Sequence, residues 1–142
     1  MKHRLVYLLN VGQRRLQRCS QSRGPEGGVT PSQAGLLFFL DKDDGALVSE
    51  AAAALDLGLP GMSGLADRME ALELIERRRD ETDGRAWRLW LTDLGRSAVK
   101  RSKANLVKLN LRLADGFSEA EIEVVARWLQ SLQDKFPAAD EK

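Results

Sequence analysis

The chain has 142 residues, 43% hydrophobic and 30% charged, with a net charge of +1. That is enough for one domain with a core, or one compact unit with dimerising arms, and it excludes a chain disordered by composition. No run of about 18 apolar residues is present, which excludes a helical membrane span. The protein is therefore expected to be cytoplasmic, without a membrane partner. Charge is uneven: residues 1–29 carry six Lys/Arg against one Glu, residues 30–95 seven against thirteen acids, and residues 96–142 nine against seven.

Residue types limit the chemistry. One histidine, His3, and one cysteine, Cys19, are too few for the usual zinc or haem ligand sets, so no metal or cofactor is expected. A single cysteine cannot form an intrachain disulfide. Phosphate-binding glycine motifs and the G-x-S-x-G nucleophile elbow are missing, and the carboxylates show no spacing that singles out an acid/base pair. An enzyme is not expected.

In chain order, residues 3–20 read as an amphipathic helix, with Leu5, Leu8, Leu9, Gly12 and Leu16 on one face. Its apolar stretch is short and runs into "RRLQR", so it is not expected to act as a signal peptide. Residues 22–29 form a Gly/Pro-rich loop. Thr30 then caps a second helix, with Pro31 at its first position and Gln33 closing a capping box. "AGLLFFL" is apolar on nearly every side and belongs in the middle of the fold. "DKDDG", 41–45, ends it.

Residues 46–48 suit a small strand. Ser49 is placed to cap "EAAAALD", a short helix, and "LGLPG" at 57–61 reads as a tight turn. A further helix runs from Met62 to about Leu72, with Met62, Leu65, Met69 and Leu72 on one face. Two short helices with the second amphipathic are a helix-turn-helix pattern. Residues 74–80 and 86–92 follow as strands around an acidic turn, "DETDG". A hairpin directly after a helix-turn-helix is a wing. Thr92 then caps a helix reaching about Asp115, with Asp93 in its first turn, where the helix dipole favours it. "SEAE" at 118–121 is a second capping box. It opens a last helix striped by Ile122, Val125, Ala126, Leu129, Leu132 and Phe136, which Pro137 ends; residues 138–142 are expected to be loose.

The fold class is thus mainly α, an α+β winged helix-turn-helix. Residues 1–29 and 96–142 supply dimerisation helices around a DNA-binding lobe at 30–95. The flanking helices carry apolar stripes that the central lobe does not need, and a second copy of the chain is the simplest cover.

Asp80, Asp83, Arg85, Trp87, Leu89, Leu91-Thr92 and Gly95 match the wing of the MarR family of bacterial transcription regulators. That wing reads roughly Asp-x-x-Asp-x-Arg, alternating apolar residues, then Leu-Thr-x-x-Gly. "LADRMEALELIER", 65–77, resembles the end of the family's recognition helix and its first wing strand. The layout covers nearly the whole chain, and the motifs about residues 47–95. The resemblance implies a dimeric repressor of double-stranded DNA, answering to a small-molecule effector. Three departures stand out. Glu73 occupies a junction that is often Gly, and is expected to change its geometry. Gly61 and Gly64 stand where longer polar or basic residues are usual. Trp87 and Trp90 are bulkier than the usual wing-strand residues.

Candidate DNA contacts follow. Arg85 suits the minor groove, with Asp83 orienting its guanidinium. Arg77 and Arg79 share a strand face and are offered to phosphate or to neighbouring acids such as Glu76 and Asp80; Arg88 on the other wing strand is a similar candidate. Pro60, Gly61, Ser63, Gly64 and Arg68 lie on the part of the helix facing the major groove; Ser63 can meet a base or phosphate and Arg68 a phosphate. Trp87 is assigned to the core or to covering the helices. Trp90 points the other way; it either packs on the wing's outer side or is a ligand-pocket candidate, since the family's pockets lie between the lobe and the dimer helices. Cys19 reads as an ordinary half-buried cysteine. Redox sensing, known for some members, needs tyrosines near the thiol, and Tyr7 is twelve positions away. The alternative, motivated by the acidic middle, is a winged-helix interaction module with little DNA binding.

Overall fold

A computed structural model describes residues 2–21 and 29–138. The expected loop at 22–29 and the loose end at 138–142 fall almost wholly outside the described residues. The elements are α1 (Leu5–Gln21), α2 (Pro31–Lys42), β1 (Ala46–Leu47), α3 (Val48–Ala54), α4 (Leu59–Ala71), β2 (Ile75–Arg79), β3 (Trp87–Leu91), α5 (Asp93–Ala114) and α6 (Glu119–Lys135). The chain packs as two compact units, Met1–Ser102 and Lys103–Lys142.

In the first unit, α2 starts where Thr30 and Gln33 exchange two capping hydrogen bonds, of 3.1 and 3.3 Å. Such a cap is worth about 1 kcal/mol. Leu36, Leu37 and Leu40 of α2 are fully buried with Met62, Leu65 and Met69 of α4, Ile75 of β2 and Leu89 of β3. The three-stranded antiparallel sheet has the order β1-β3-β2. Ile75 lies opposite Leu91, Arg77 opposite Leu89 and Arg79 opposite Trp87 on one face; Glu76 lies opposite Trp90 and Arg78 opposite Arg88 on the other.

Helix starts differ from expectation at two places. Helix α3 begins at Val48, with Leu47 as its N-cap and no side-chain cap bond. Ser49 is therefore inside the first turn and does not cap. Helix α4 begins at Leu59, with Gly58 as N-cap, so Pro60 and Gly61 belong to its first turn and not to a tight turn before it. Proline is tolerated there because first-turn amides have no intrahelical acceptor. The bend between the helices is made by Asp56, at φ 54.

The junction after α4 also departs from expectation. Glu73 takes the left-handed conformation, φ 60, so the geometry usually given to glycine is kept by a glutamate. Two contacts hold it. The Leu74 N–H donates to the Met69 carbonyl at 3.0 Å, and the Thr92 hydroxyl donates to the Glu73 carbonyl at 2.6 Å. The same Thr92 oxygen accepts the Gly95 N–H at 3.0 Å, capping α5. Gly95 is there for closeness: a Cβ on it would stand 2.1 Å from the Leu74 carbonyl oxygen.

In α1, the residues Leu5, Val6, Tyr7, Leu8 and Leu9 are exposed, with Arg4 stacked 4.5 Å from the Tyr7 ring. In the second unit, Ser118 and Glu121 form the expected capping box of α6. No residue of α6 is buried, and Leu106, Leu111, Leu113, Val124, Val125, Leu129 and Phe136 are exposed. No helix among the described residues is long and apolar enough to cross a membrane.

Candidate nucleic-acid interface

The candidate residues of the lobe lie on α4 and on the β2–β3 wing, both in the first unit. Between α4, α3 and the wing is an open cleft of about 390 Å³. Its walls are Val48 and Ser49, then Leu59, Ser63 and Ala66 of α4, then Arg77, Arg85 and Trp87 of the wing. Thus Ser63, Arg77 and Arg85, far apart in the chain, are brought to one groove. Trp90 is not among its walls.

Asp80 organises the wing. One carboxylate oxygen accepts the Arg88 Nε–H at 2.6 Å; the other accepts the Thr82 hydroxyl at 2.8 Å and the Asp83 N–H at 3.0 Å. These donors, Arg88 foremost, lower its pKa from 3.8 to about 2. The Arg88 guanidinium is stabilised in turn, its pKa raised chiefly by Asp80, and it also donates to the Gly45 carbonyl at 2.8 Å. Arg88 therefore ties the wing to the loop after α2. The sequence marks Asp80 as part of the wing motif and as an acid beside the wing arginines; the signal for its turn-closing role is an Asp three residues before an amide in a turn.

Asp83 has a different task from the one expected. Its carboxylate accepts the backbone N–H of Arg85 at 3.0 Å. It fixes the main chain at Arg85, while the guanidinium stays exposed with no ion pair among the described residues. The other wing arginines are engaged. Arg77 is half-buried, pairs with Asp67 and lies 3.7 Å from Glu70. Arg78 pairs with Glu76 at 2.8 Å and lies over the Trp90 ring. Arg78 and Arg88 are cross-strand neighbours of like charge, and each has its own carboxylate beside it, which relieves the repulsion. Arg79 donates to the Gly84 carbonyl at 2.8 Å and stacks on Trp87 at 4.8 Å.

The two tryptophans sit differently on the sheet. Trp87 shares the face of Leu89 and Leu91 but is 40% exposed, where it lines the open cleft with Leu59 and Ser63 of α4. Trp90 is half-buried against Gly45: a Cβ on Gly45 would meet its ring at 2.6 Å, and Gly45 has φ +84. On α4, Pro60, Gly61, Ser63 and Arg68 are exposed and Gly64 partly so. Among the described residues no cluster of His, Cys, Asp and Glu fits a metal ion. Cys19 is half-buried, as expected.

Comparison with known proteins bears on the family and the fold. The model of the MarR family matches residues 27–86. The HTH-type transcriptional regulator YxaD of Bacillus subtilis (strain 168) is 30% identical over 132 residues, covering 93% of this chain and 92% of its own. Among solved structures, the transcriptional repressor CouR bound to a 23-mer DNA duplex is similar, with TM-score 0.81 and 26% identity, over 90% of this chain and 91% of that one. The PcaV transcriptional regulator of Streptomyces coelicolor, in complex with its natural ligand, shares the fold with TM-score 0.84 at 20% identity, over 94% of this chain and 93% of that one.

Proposed function

The chain belongs to the MarR family of winged-helix transcriptional regulators, and from that premise we propose that it is a repressor. It binds a pseudo-palindromic operator as a homodimer and answers to a small-molecule effector. The lobe at 30–95 carries the DNA contacts; residues 1–29 and 96–142 carry the dimer contacts. The recognition helices α4 enter successive major grooves through Pro60, Gly61, Ser63, Gly64 and Arg68. The wings reach the flanking minor grooves through Arg85, with Arg79 beside it toward phosphate.

The observation that carries this reading is the placement of Arg85. Asp83 and Asp80 fix the main chain of the wing tip while the Arg85 guanidinium is exposed and unpaired among the described residues. A cation so presented is preorganised for an anion. Arg77 and Arg88, engaged with carboxylates, serve as braces, and Asp83 acts through the backbone of Arg85. Effector control means that ligand and DNA affect each other's affinity reciprocally. The half-buried Trp90 is the aromatic side chain offered to an effector, with Arg78 above it. The homodimer is supported by the exposed apolar residues of α1 and α6, and light scattering at twice 15.8 kDa is expected.

Arg85→Ala should weaken operator binding in a gel-shift titration and flatten the logarithmic salt dependence by about one unit per chain. Unchanged affinity removes the wing from the interface. The acidic balance of residues 30–95 favours a second reading, a dimeric interaction module. Genomic pull-down that enriches protein partners and no DNA site supports that one instead.

A further inference from the structure

Sequence readout in the major groove needs side chains that reach base edges from the exposed face of the recognition helix. The first turns of α4 offer few. Leu59 is 59% exposed and apolar. Pro60, Gly61 and Gly64 have no side-chain donor or acceptor, which leaves Ser63.

Arg68 follows one turn later and is exposed. Its sequence neighbourhood is acidic, yet nothing captures it. The positions three and four away, where a carboxylate would pair on a helix, are Gly64, Leu65, Ala71 and Leu72. The nearby Asp67 and Glu70 are turned toward Arg77 of β2. Among the described residues Arg68 has no ion pair. Its direction is also defined. A Cβ on Gly64 would lie 3.3 Å from an Arg68 Nη. The guanidinium thus lies back over Gly64, a turn nearer the end of α4 that enters the groove. Helical side chains lean that way, and the missing side chain at position 64 leaves the path open.

We infer that Arg68 is the specificity-determining residue of α4, reading a guanine through O6 and N7 in the major groove, with Gly64 as its path. Arginine's planar fork matches that pair of acceptors, and this contact is the commonest specific one in DNA recognition. Arg77 keeps Asp67 and Glu70 from competing for it. The inference rests on the DNA-binding reading above.

The test uses duplexes selected from a randomised library by the full-length protein. The enriched half-site should contain a guanine whose replacement by 7-deazaguanine, which lacks the N7 acceptor, weakens wild-type binding roughly ten-fold. The same replacement should leave the affinity of Arg68→Ala unchanged. Arg68→Lys should show a smaller guanine dependence than wild type, because an ammonium lacks the planar fork that matches O6 and N7. Gly64→Leu, which fills the path, should also lose the guanine dependence with its helix content intact. Equal 7-deazaguanine penalties in wild type and Arg68→Ala overturn the inference and leave the DNA-binding reading standing. Retention of no duplex at low salt overturns both.

Discussion

Gly95→Ala tests how the wing is attached. The added methyl would sit 2.1 Å from the Leu74 carbonyl oxygen, 3.1 Å from the Leu74 carbonyl carbon and 3.2 Å from a methyl of Leu91. Two of these atoms are main chain, so no rotamer change relieves the clash. The start of α5 must retreat by roughly 1 Å, and overpacking of this kind costs about 1–3 kcal/mol. Retreat also stretches the bond from the Thr92 N–H to the Leu74 carbonyl, now 3.2 Å, and strains the Thr92 hydroxyl between the Glu73 carbonyl and the Gly95 N–H. Each bond lost adds about 1 kcal/mol. The expected destabilisation is about 3 kcal/mol. Urea unfolding followed by far-UV circular dichroism, at fixed protomer concentration, should show a lower midpoint with an unchanged slope. A loss below about 0.5 kcal/mol, the range of ordinary surface changes, would refute the argument that closeness is why this position is glycine.

Glu73→Gly should act in the opposite direction. A left-handed L-residue costs about 1–2 kcal/mol, partly offset by the greater chain entropy of glycine, so a gain of roughly 0.5–1 kcal/mol is expected in the same unfolding assay. A loss would mean that the Glu73 side chain holds the junction. For Asp80 the sign follows from its lowered pKa. Its contribution is fully present above 3.8, the ordinary value, and is lost as pH falls through about 2. Asp80→Asn should therefore flatten the acid limb of stability in that window, and identical acid limbs for the two proteins would remove the carboxylate from the account.

Local patterns carried much of the fold. Thr30 with Gln33 and Ser118 with Glu121 are short-range pairs, and each cap forms as read. Burial of Leu36, Leu37 and Leu40 follows from an apolar run too wide for one helix face. The misplacements came from patterns with two physical meanings. Pro60-Gly61 is turn chemistry by composition, but a proline in a first helical turn loses no hydrogen bond. Strand alternation placed Trp87 on the right face and could not give its depth, since that depends on the cleft it lines with α4. Asp83 was assigned to the Arg85 side chain; the backbone amide two residues on was equally near in sequence, as in Asx turns. The engagement of Arg77 and Arg88 depends on Asp67, Glu70 and Gly45, which strand parity alone does not place.

The acidic count of residues 30–95 looks like an argument against DNA, and the ion pairs change its weight. Asp67 and Glu70 face Arg77, Asp80 pairs with Arg88, and Glu76 with Arg78. Asp44 accepts the Leu91 N–H at 2.8 Å and lies 3.8 Å from Arg96; Asp83 holds the Arg85 amide. Charges paired within a few ångströms cancel beyond a Debye length of about 8 Å at physiological salt. What a DNA backbone meets at contact is then set by the cations left over on the helix and wing, Arg68, Arg79 and Arg85. If Arg68 reads a base, the remaining charged contacts of this lobe are few, Arg85 in the minor groove and Arg79 toward phosphate. Each phosphate neutralised contributes a slope of about −0.9 to the dependence of log affinity on log salt. The operator complex should therefore show a shallow slope, of the order of −2 to −4 per dimer. Anisotropy titrations between 50 and 200 mM salt, roughly the range over which strongly basic binders lose most affinity, measure it. A slope near −8 would show that cations outside α4 and the wing carry the binding.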